Sequence, residues 1–468
     1  MGDDSLLEAL QAGAQIVISG RNSDPSLLNA LTRFFFGLKC DDPRLGTSIG
    51  AAHITECGAQ CTGAFLPWVV QAKLGIELDN IGYPLGNLRL EEDRIRFLLS
   101  KPDRTDGRVI PETVIPQIGY ENRGEVYLTP DGAADFHEAY VHEHAYDLVE
   151  VCGLEYRPRP EYLKAIATVS NGYLLVNHFA IVDQDALEAA EALKHTIEGR
   201  IQREGITPTQ ALSWEHTAPN TCPSNRFRGE SPPRLILRMS GTFNSVKEAQ
   251  GAQTVALATS CNSIGGFSAY HYDGGIGAIQ PTTKCIPLLV PRDVVQSKLD
   301  CLWETTSCSI SLTAPSDVDL SSSRFEMLRF PQAPQHFRRA VESLDPSLAR
   351  PGERTVEVEI GDFNGPNLDD GLITSTRGGD KDTHATLTFS TNEASIFAIL
   401  YHRLTTRALQ DNLGERGVVQ ERVAAVNMGR LNFLVDRLAK GTAGESPLID
   451  TQNKLEGGGA SFYKLILV

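Results

Sequence analysis

The chain has 468 residues, 41% of them hydrophobic and 22% charged, which suits a globular protein with room for two or three domains. Its net charge of −16 argues against a phosphate backbone or an anionic membrane as partner, since both call for a basic surface. No apolar run reaches membrane-span length, and the acidic start Met1-Gly2-Asp3-Asp4 lacks the basic region of a secretory signal. Nine cysteines, an odd number with no Cys-x-x-Cys pair, point to reduced thiols in the cytoplasm rather than to a disulfide framework or structural zinc.

In chain order, residues 6–12 predict a short helix. Ile16-Val17-Ile18, bounded by Gly13 and Gly20, predicts a buried strand. Asp24-Pro25 opens an apolar helix, with Asp24 as N-cap, that stops near Gly37. Such a strand–loop–helix unit places Arg21 and Asp24 at the carboxyl end of a strand, where open α/β sheets bind ligands. Arg21 then either pairs with a ligand carboxylate or holds the loop through Asp24.

The stretch from Ile49 to Phe65 is poor in large side chains, yet it carries His53, Glu56, Cys57, Gln60 and Cys61. On a single helix, His53, Glu56 and Gln60 fall at i, i+3 and i+7, on one face. Two readings stay open. One is a face that binds and protonates a small polar molecule; the other is a tightly packed helix whose polar groups are satisfied internally.

A turn and a strand follow at 79–90, strands at 94–99, 147–152, 163–169, 173–176 and 234–239, and helices at 66–73, 185–203 and 246–259. The helix at 185–203 presents Ala186, Leu187, Ala190, Leu193 and Ile197 on one face. His137, His142 and His144, among Glu138 and Glu143, read as a solvated surface segment rather than a metal site. Gly274 to Gly277 falls short of a dinucleotide fingerprint, and no Walker loop, HExxH or GxSxG occurs. Residues 313–351, rich in Pro and Ser, read as a connecting region, and the alternating run 355–360 is a strand.

Glu56-Cys57-Gly58-Ala59-Gln60, followed by Thr62-Gly63, resembles the signature of the acyclic terpene utilisation (AtuA-like) family. Gly13 to Arg21 with Asp24, Ile81 to Pro84, Tyr127 to Asp131 with Asp135-Phe136, and Pro291-Arg292 resemble further blocks, in the family's order. Two blocks depart from the pattern. After Lys101-Pro102 the family loop is glycine-rich, and here Arg104 and Asp106 replace glycines, which obstructs an anion's approach to backbone N–H groups. Pro116 and Gly119 stand in the next block, where they predict a broken helix.

Arg377 to Lys381, Arg430-Leu431-Asn432-Phe433 and Asp450 to Lys454 resemble the small domain that often follows, an α+β unit described as ferredoxin-like. No cysteine lies beyond Cys308, so that name carries topology and no iron–sulfur cluster. The resemblance implies an α/β main domain over 1–330, a linker over 331–354 and the small domain over 355–468. It also implies a start shorter than that of full-length relatives, with a sheet edge that a homo-oligomer would cover.

The resemblance implies work on acyclic terpenoid or other branched carboxylic acids, as free acids or CoA thioesters. The chemistry read from the residues is of lyase or hydratase type. Glu56 or His53 moves a proton, Gln60 orients the substrate, and Arg21, with Asp24 and Cys57, binds it. Asp380 and Lys381 close over the site from the small domain. No cofactor and no metal enter this reading. The alternative is a non-catalytic accessory or assembly subunit derived from such an enzyme. A thiol enzyme built on Cys57 fits less well, because the adjacent Glu56 raises a thiol's pKa.

Overall fold

In the computed structural model, the described residues are 1–66, 68–122, 124–217, 233–259, 262–270, 278–299, 329–344, 356–359, 377–381, 384–413, 417–436 and 464–467. The fold is α/β, with helices and sheets mixed along the chain, and every paired strand among the described residues runs antiparallel to its neighbour.

Helices α1 (Asp4–Gln11) and α2 (Asp24–Phe36) pack through charge rather than grease. α2 buries Ser26, Asn29, Thr32 and Arg33, and turns Leu27, Leu31, Phe34 and Phe35 outward, Phe35 73% exposed. Inside, Arg33 donates to Asp3 and Asp4 at 2.8 and 2.9 Å, and Asn29 donates to Asp3 at 2.7 Å. Arg159 reaches the same two carboxylates at 2.6 and 2.8 Å. Burial alone would cost several kcal/mol per ion, so the stability of this cluster depends on its mutual pairing. The expected strand at Ile16–Ile18 does not form. Those side chains are exposed, Ile18 at 94%, because nothing among the described residues offers them a sheet to join. Ser23 takes the N-cap position, one residue before the expected Asp24, and Gly37 closes the helix in the left-handed region at φ 64°.

Helix α3 (Leu45–Thr55) lies under the main sheets, and α4 (Trp68–Lys73) follows it. Strands β1 (Leu85–Leu90) and β2 (Ile95–Ser100) form a hairpin. Helix α5 (Pro111–Gly119) contains Pro116, where a break was expected. Interior proline costs about 3 kcal/mol. Val114 and Ile118 are completely buried, and burying two such side chains contributes about as much or more. The helix therefore survives Pro116 and ends at Gly119.

Then come β3 (Val126–Thr129), β4 (Gly132–Asp135), β5 (Tyr140–Ala145), β6 (Leu148–Cys152) and β7 (Glu155–Arg157). They complete two sheets, ordered β1-β2-β6-β5 and β3-β4-β7.

The long strand β8 (Tyr162–Val182) merges the two expected strands at 163–169 and 173–176. With α6 (Ala186–Arg203), β9 (Ser213–Thr217), β10 (Arg234–Phe243), α7 (Val246–Ala258), β11 (Phe267–Tyr270) and β12 (Ala278–Pro291) it builds a separate layer. Its core contains Phe179, Leu193, Ile197, Met239 and Phe243, beside a small-residue face of α7 at Ala249, Ala252 and Ala256. Ser245 and Glu248 cap α7 reciprocally. At the start of α8 (Arg292–Leu299), Arg292 donates to the Pro160 carbonyl at 3.0 Å and to the Pro130 carbonyl, tying this layer to the β3–β4 turn.

Helix α9 (His336–Ser343) lies within the stretch expected as a linker. Its Phe337 is 6% exposed and packs edge-on to Phe397 at 5.6 Å. The remaining elements are β13 (Val356–Glu359), β14 (Arg377–Lys381), β15 (His384–Ser390), α10 (Ala394–Arg403), α11 (Thr406–Leu413), β16 (Val418–Ala425), β17 (Arg430–Asp436) and β18 (Lys464–Leu467). A four-stranded sheet runs β14-β15-β17-β16, and β13 pairs with β18. Period-two alternation divides β15 and β17 cleanly. Ala385, Leu387, Phe389, Leu431, Phe433 and Val435 join Phe337, Phe397 and Leu400 in one apolar core. The opposite face carries Thr386, Thr388, Ser390, Arg430 and Asn432, all buried. That polar face meets the main unit. Asn432 donates to the Asn122 carbonyl at 2.9 Å, and Thr388 donates to Asn432 at 2.9 Å and lies 3.3 Å from the Gly119 carbonyl. Ala425 and Met428 belong to the same core as Ile49, Phe97, Val114 and Phe136.

Candidate functional site

Small residues set the position of α3. A Cβ on Gly46 would stand 2.6–2.7 Å from the backbone of Glu155 and Tyr156, and one on Gly50 would stand 2.9 Å from Leu154. The helix therefore presses close to the strand at 155–157 and buries His53 completely. The single long helix expected from 49 to 65 does not form. α3 stops at Thr55, Gly58 takes a left-handed φ of 57°, and a 3-10 turn spans Gly58–Thr62. The Thr62 hydroxyl, 2.9 Å from Ala59 O and 2.7 Å from Gly82 O, holds that turn against a distant segment. His53 and Glu56 keep their i, i+3 relation. Gln60 moves to the 3-10 turn, half-buried, and Cys61 is fully buried in the core.

The His53 ring is bonded on both nitrogens. Nε2 lies 3.3 Å from the Ile118 carbonyl and Nδ1 lies 3.1 Å from Glu56 Oε1. A carbonyl only accepts, so Nε2 carries a proton and donates it. The short contact between Nδ1 and Oε1 then needs a second proton, on the imidazole or on the carboxyl. Glu56 is 14% exposed, and its buried Oε2 has no hydrogen-bond partner.

Tyr127 covers the imidazole, stacked at 4.0 Å and 29°, and Phe136 stands edge-on at 6.1 Å. Burial raises the phenol's pKa, and the charges of Glu56, Asp24 and Glu121, with Cys57, add to the rise. Three expected site residues, Glu56, Asp24 and Cys57, thus lie within the electrostatic reach of one phenol. Tyr127 and Glu121 were not expected there. Tyr127 stood in a recognised sequence block, but nothing in its spacing indicated that β3 folds over α3.

Arg21 and Asp24 are exposed, on a surface loop and on the first turn of α2, and no ion pair joins them. With no preceding strand and with antiparallel sheets, the carboxyl-end rule that placed them at a ligand does not apply. Asp380 and Lys381 lie in β14 opposite Ala385 and His384. Their side chains lie outside the described residues.

The loop after Lys101-Pro102 keeps a glycine-like shape despite its substitutions. Arg104 takes φ 61° and Gly107 φ 83°. Two of its three cations are engaged: Lys101 lies 3.2 Å and Arg108 3.6 Å from Asp147. In the histidine segment His137, Glu138, His142 and Glu143 are exposed, as a solvated segment requires. His144 departs: 7% exposed, it sits 2.7 Å from Glu150, which is completely buried and held by Arg96 through two bonds of 2.7 Å. A buried carboxylate needs such partners, and the histidine is recruited as one. His142 packs edge-on to His144 at 4.7 Å, and burial, then His144, lowers its pKa.

The cysteines at 40, 57, 61, 152 and 285 are free thiols. Among the described residues no helix is long and apolar enough to cross a membrane. No curated protein and no solved structure matches the chain. The model of the acyclic terpene utilisation family protein AtuA matches residues 1–301. That span holds His53, Glu56 and Tyr127, and the chain belongs to the acyclic terpene utilisation family.

Proposed function

We propose that the chain is an acid–base enzyme of lyase or hydratase type, acting on acyclic terpenoid or other branched carboxylic acids or their CoA thioesters. The observation that carries the reading is the 3.1 Å contact of His53 Nδ1 with Glu56 Oε1, with Glu56 Oε2 unpartnered and Tyr127 stacked on the imidazole. In this reading Glu56 gives or takes the proton at the reacting carbon, and His53 buffers the charge that this leaves behind. Tyr127 supplies a hydrogen bond to a developing oxyanion. Gln60 orients the substrate, and Arg21 takes the carboxylate or phosphate end. Asp24 and Cys57 line the approach, and Asp380 and Lys381 contribute from the small domain. No cofactor enters. The reading includes a cytoplasmic setting, which the scattered free thiols support.

It also includes a homo-oligomer. The outward stripe Leu27, Leu31, Phe34 and Phe35 gives α2 an apolar face on the wrong side for a monomer, and a second copy would cover it.

One observation favours the alternative, a non-catalytic accessory subunit: Asp147 engages the loop cations Lys101 and Arg108, and Asp103 and Asp106 flank the third, Arg104, which leaves that loop little net charge for an anionic substrate. Turnover assays of the purified chain on branched unsaturated acids and acyl-CoAs separate the two. The enzyme reading expects turnover that Glu56→Gln lowers by about 10²–10⁴-fold. Absence of turnover on the whole panel selects the accessory reading, and turnover that Glu56→Gln leaves intact removes Glu56 from the chemistry.

A further inference from the structure

Helix α5 is bonded both to α3 and to the C-terminal sheet. Toward α3, its Ile118 carbonyl accepts from His53 Nε2 at 3.3 Å, and Gln117 Nε2 lies 3.5 Å from the His53 carbonyl. Toward the C-terminal unit, Glu112 in its first turn accepts from Asn392 at 2.9 Å. Its last residue, Gly119, lies against Thr388, and a Cβ there would stand 2.8 Å from both Cγ2 and Oγ1 of that side chain. Just beyond, the Asn122 carbonyl accepts from Asn432 Nδ2 at 2.9 Å, and Asn432 Oδ1 accepts from Thr388 at 2.9 Å.

The helix has little means to hold this geometry by itself. It is 9 residues long, below the length at which an isolated helix persists in water. Pro116 has no N–H, so the Glu112 carbonyl loses the bond it would receive one turn on. The carbonyls of the last turn have no partner within the helix and take one from outside. Ile118 O is one of these, and His53 is its partner. Where that carbonyl stands therefore depends on what grips the end of α5.

We propose that the C-terminal sheet positions His53: Thr388 and Asn432 seat the end of α5, and the seated Ile118 carbonyl fixes the imidazole that faces Glu56. Both are positioning residues that act through the helix. The proposal concerns the site read above as catalytic but does not rest on catalysis, because its readout is the imidazole itself.

The test is solvent exchange of the His53 Nε2 proton, followed by NMR in the full chain with isotope-labelled histidine and identified by its loss in His53→Gln. His144, beside the buried Glu150, is the reference for general loosening. Gly119→Ala suits a helical backbone but pushes Thr388 off the helix end. It is expected to speed exchange at His53 about ten-fold, the worth of one hydrogen bond. Adding Thr388→Ala removes both clashing atoms, leaving the guanidinium end of Arg430 at 3.2 Å, and is expected to restore the slow rate. Asn432→Leu cuts the hold on Asn122 by another route and is expected to act like Gly119→Ala; it decides the outcome should Gly119→Ala fail to fold. Thr386→Val, on the same sheet face but with a hydroxyl that bonds nothing, is expected to leave His53 unchanged. Exchange at His144 is expected to stay at the wild-type rate throughout. Unchanged exchange at His53 in Asn432→Leu, equal acceleration at His53 and His144, or no recovery in the double variant overturns the proposal.

Discussion

Arg430, on the C-terminal sheet, donates a hydrogen bond to Glu125 across 305 positions of sequence, and the two side chains are 0% and 4% exposed. Burial pushes the Glu125 carboxyl up, against the pull of Arg430. Removing one partner strands the other charge in the interface. Arg430→Met is expected to destabilise the chain by about 3–5 kcal/mol, and adding Glu125→Leu is expected to recover most of that. Urea unfolding of both singles and the double measures the cycle; simple additivity would contradict the pairing.

Asp131 accepts from the Ser26 hydroxyl at 2.5 Å and from the Asp3 backbone at 2.8 Å. Burial, then the charge of Asp3, pushes its carboxyl up to about 7. The unfolded group titrates near ~3.9. Between those values the folded state holds a proton that the unfolded chain has released. This contribution to stability is complete below about pH 4 and is lost as pH rises through about 7. The urea midpoint of the wild type should therefore fall, relative to Asp131→Asn, between pH 5 and pH 8. Parallel profiles would show that Asp131 is not the titrating group.

Gly46→Ala places a methyl against the Glu155 backbone, where no side chain can swing away. A loss of about 1–3 kcal/mol is expected, as for other overpacked sites. Gly20, with nothing within 4 Å of its Cβ position, is the control, and Gly20→Ala should shift the thermal midpoint little. Equal effects of the two substitutions would mean that α3 is not pressed on the 155–157 strand.

For the proposed homo-oligomer, Phe35→Glu is the direct probe, since Phe35 is 73% exposed and meets Phe34, itself exposed, edge-on at 5.2 Å. Sedimentation velocity should show the wild type larger than one chain and the variant shifted to monomer. A monomeric wild type would remove the oligomer from the functional reading.

What the sequence showed of this fold follows the range of the forces involved. α6 was readable because Ala186, Ala190, Leu193 and Ile197 repeat at helical spacing and all four are buried. The end of α2 was readable because Gly37 alone decides it. The break after Thr55 was not, because the Thr62 bond to Gly82 comes from another segment. Nor was the outward apolar face of α2, since its inward face is set by Asp3 and Arg159. The contact of His53 with Glu56 was readable from their i, i+3 spacing. The stacking of Tyr127 on His53 was not, because it exists only once β3 lies over α3.

The two-faced sheet of β15 and β17 has a consequence for how the molecule comes apart. Its polar row, Thr388, Arg430 and Asn432, takes partners from Gly119, Glu125 and Asn122 of the main unit, so the C-terminal unit cannot complete its bonding alone. Melting of this sheet and of the α3–α5 region should therefore be one cooperative event, although the two lie at opposite ends of the chain. The β8–β12 layer has a core of its own and sits between them in sequence. A calorimetric scan is expected to resolve two transitions, one for that inserted layer and one shared by the chain's beginning and end.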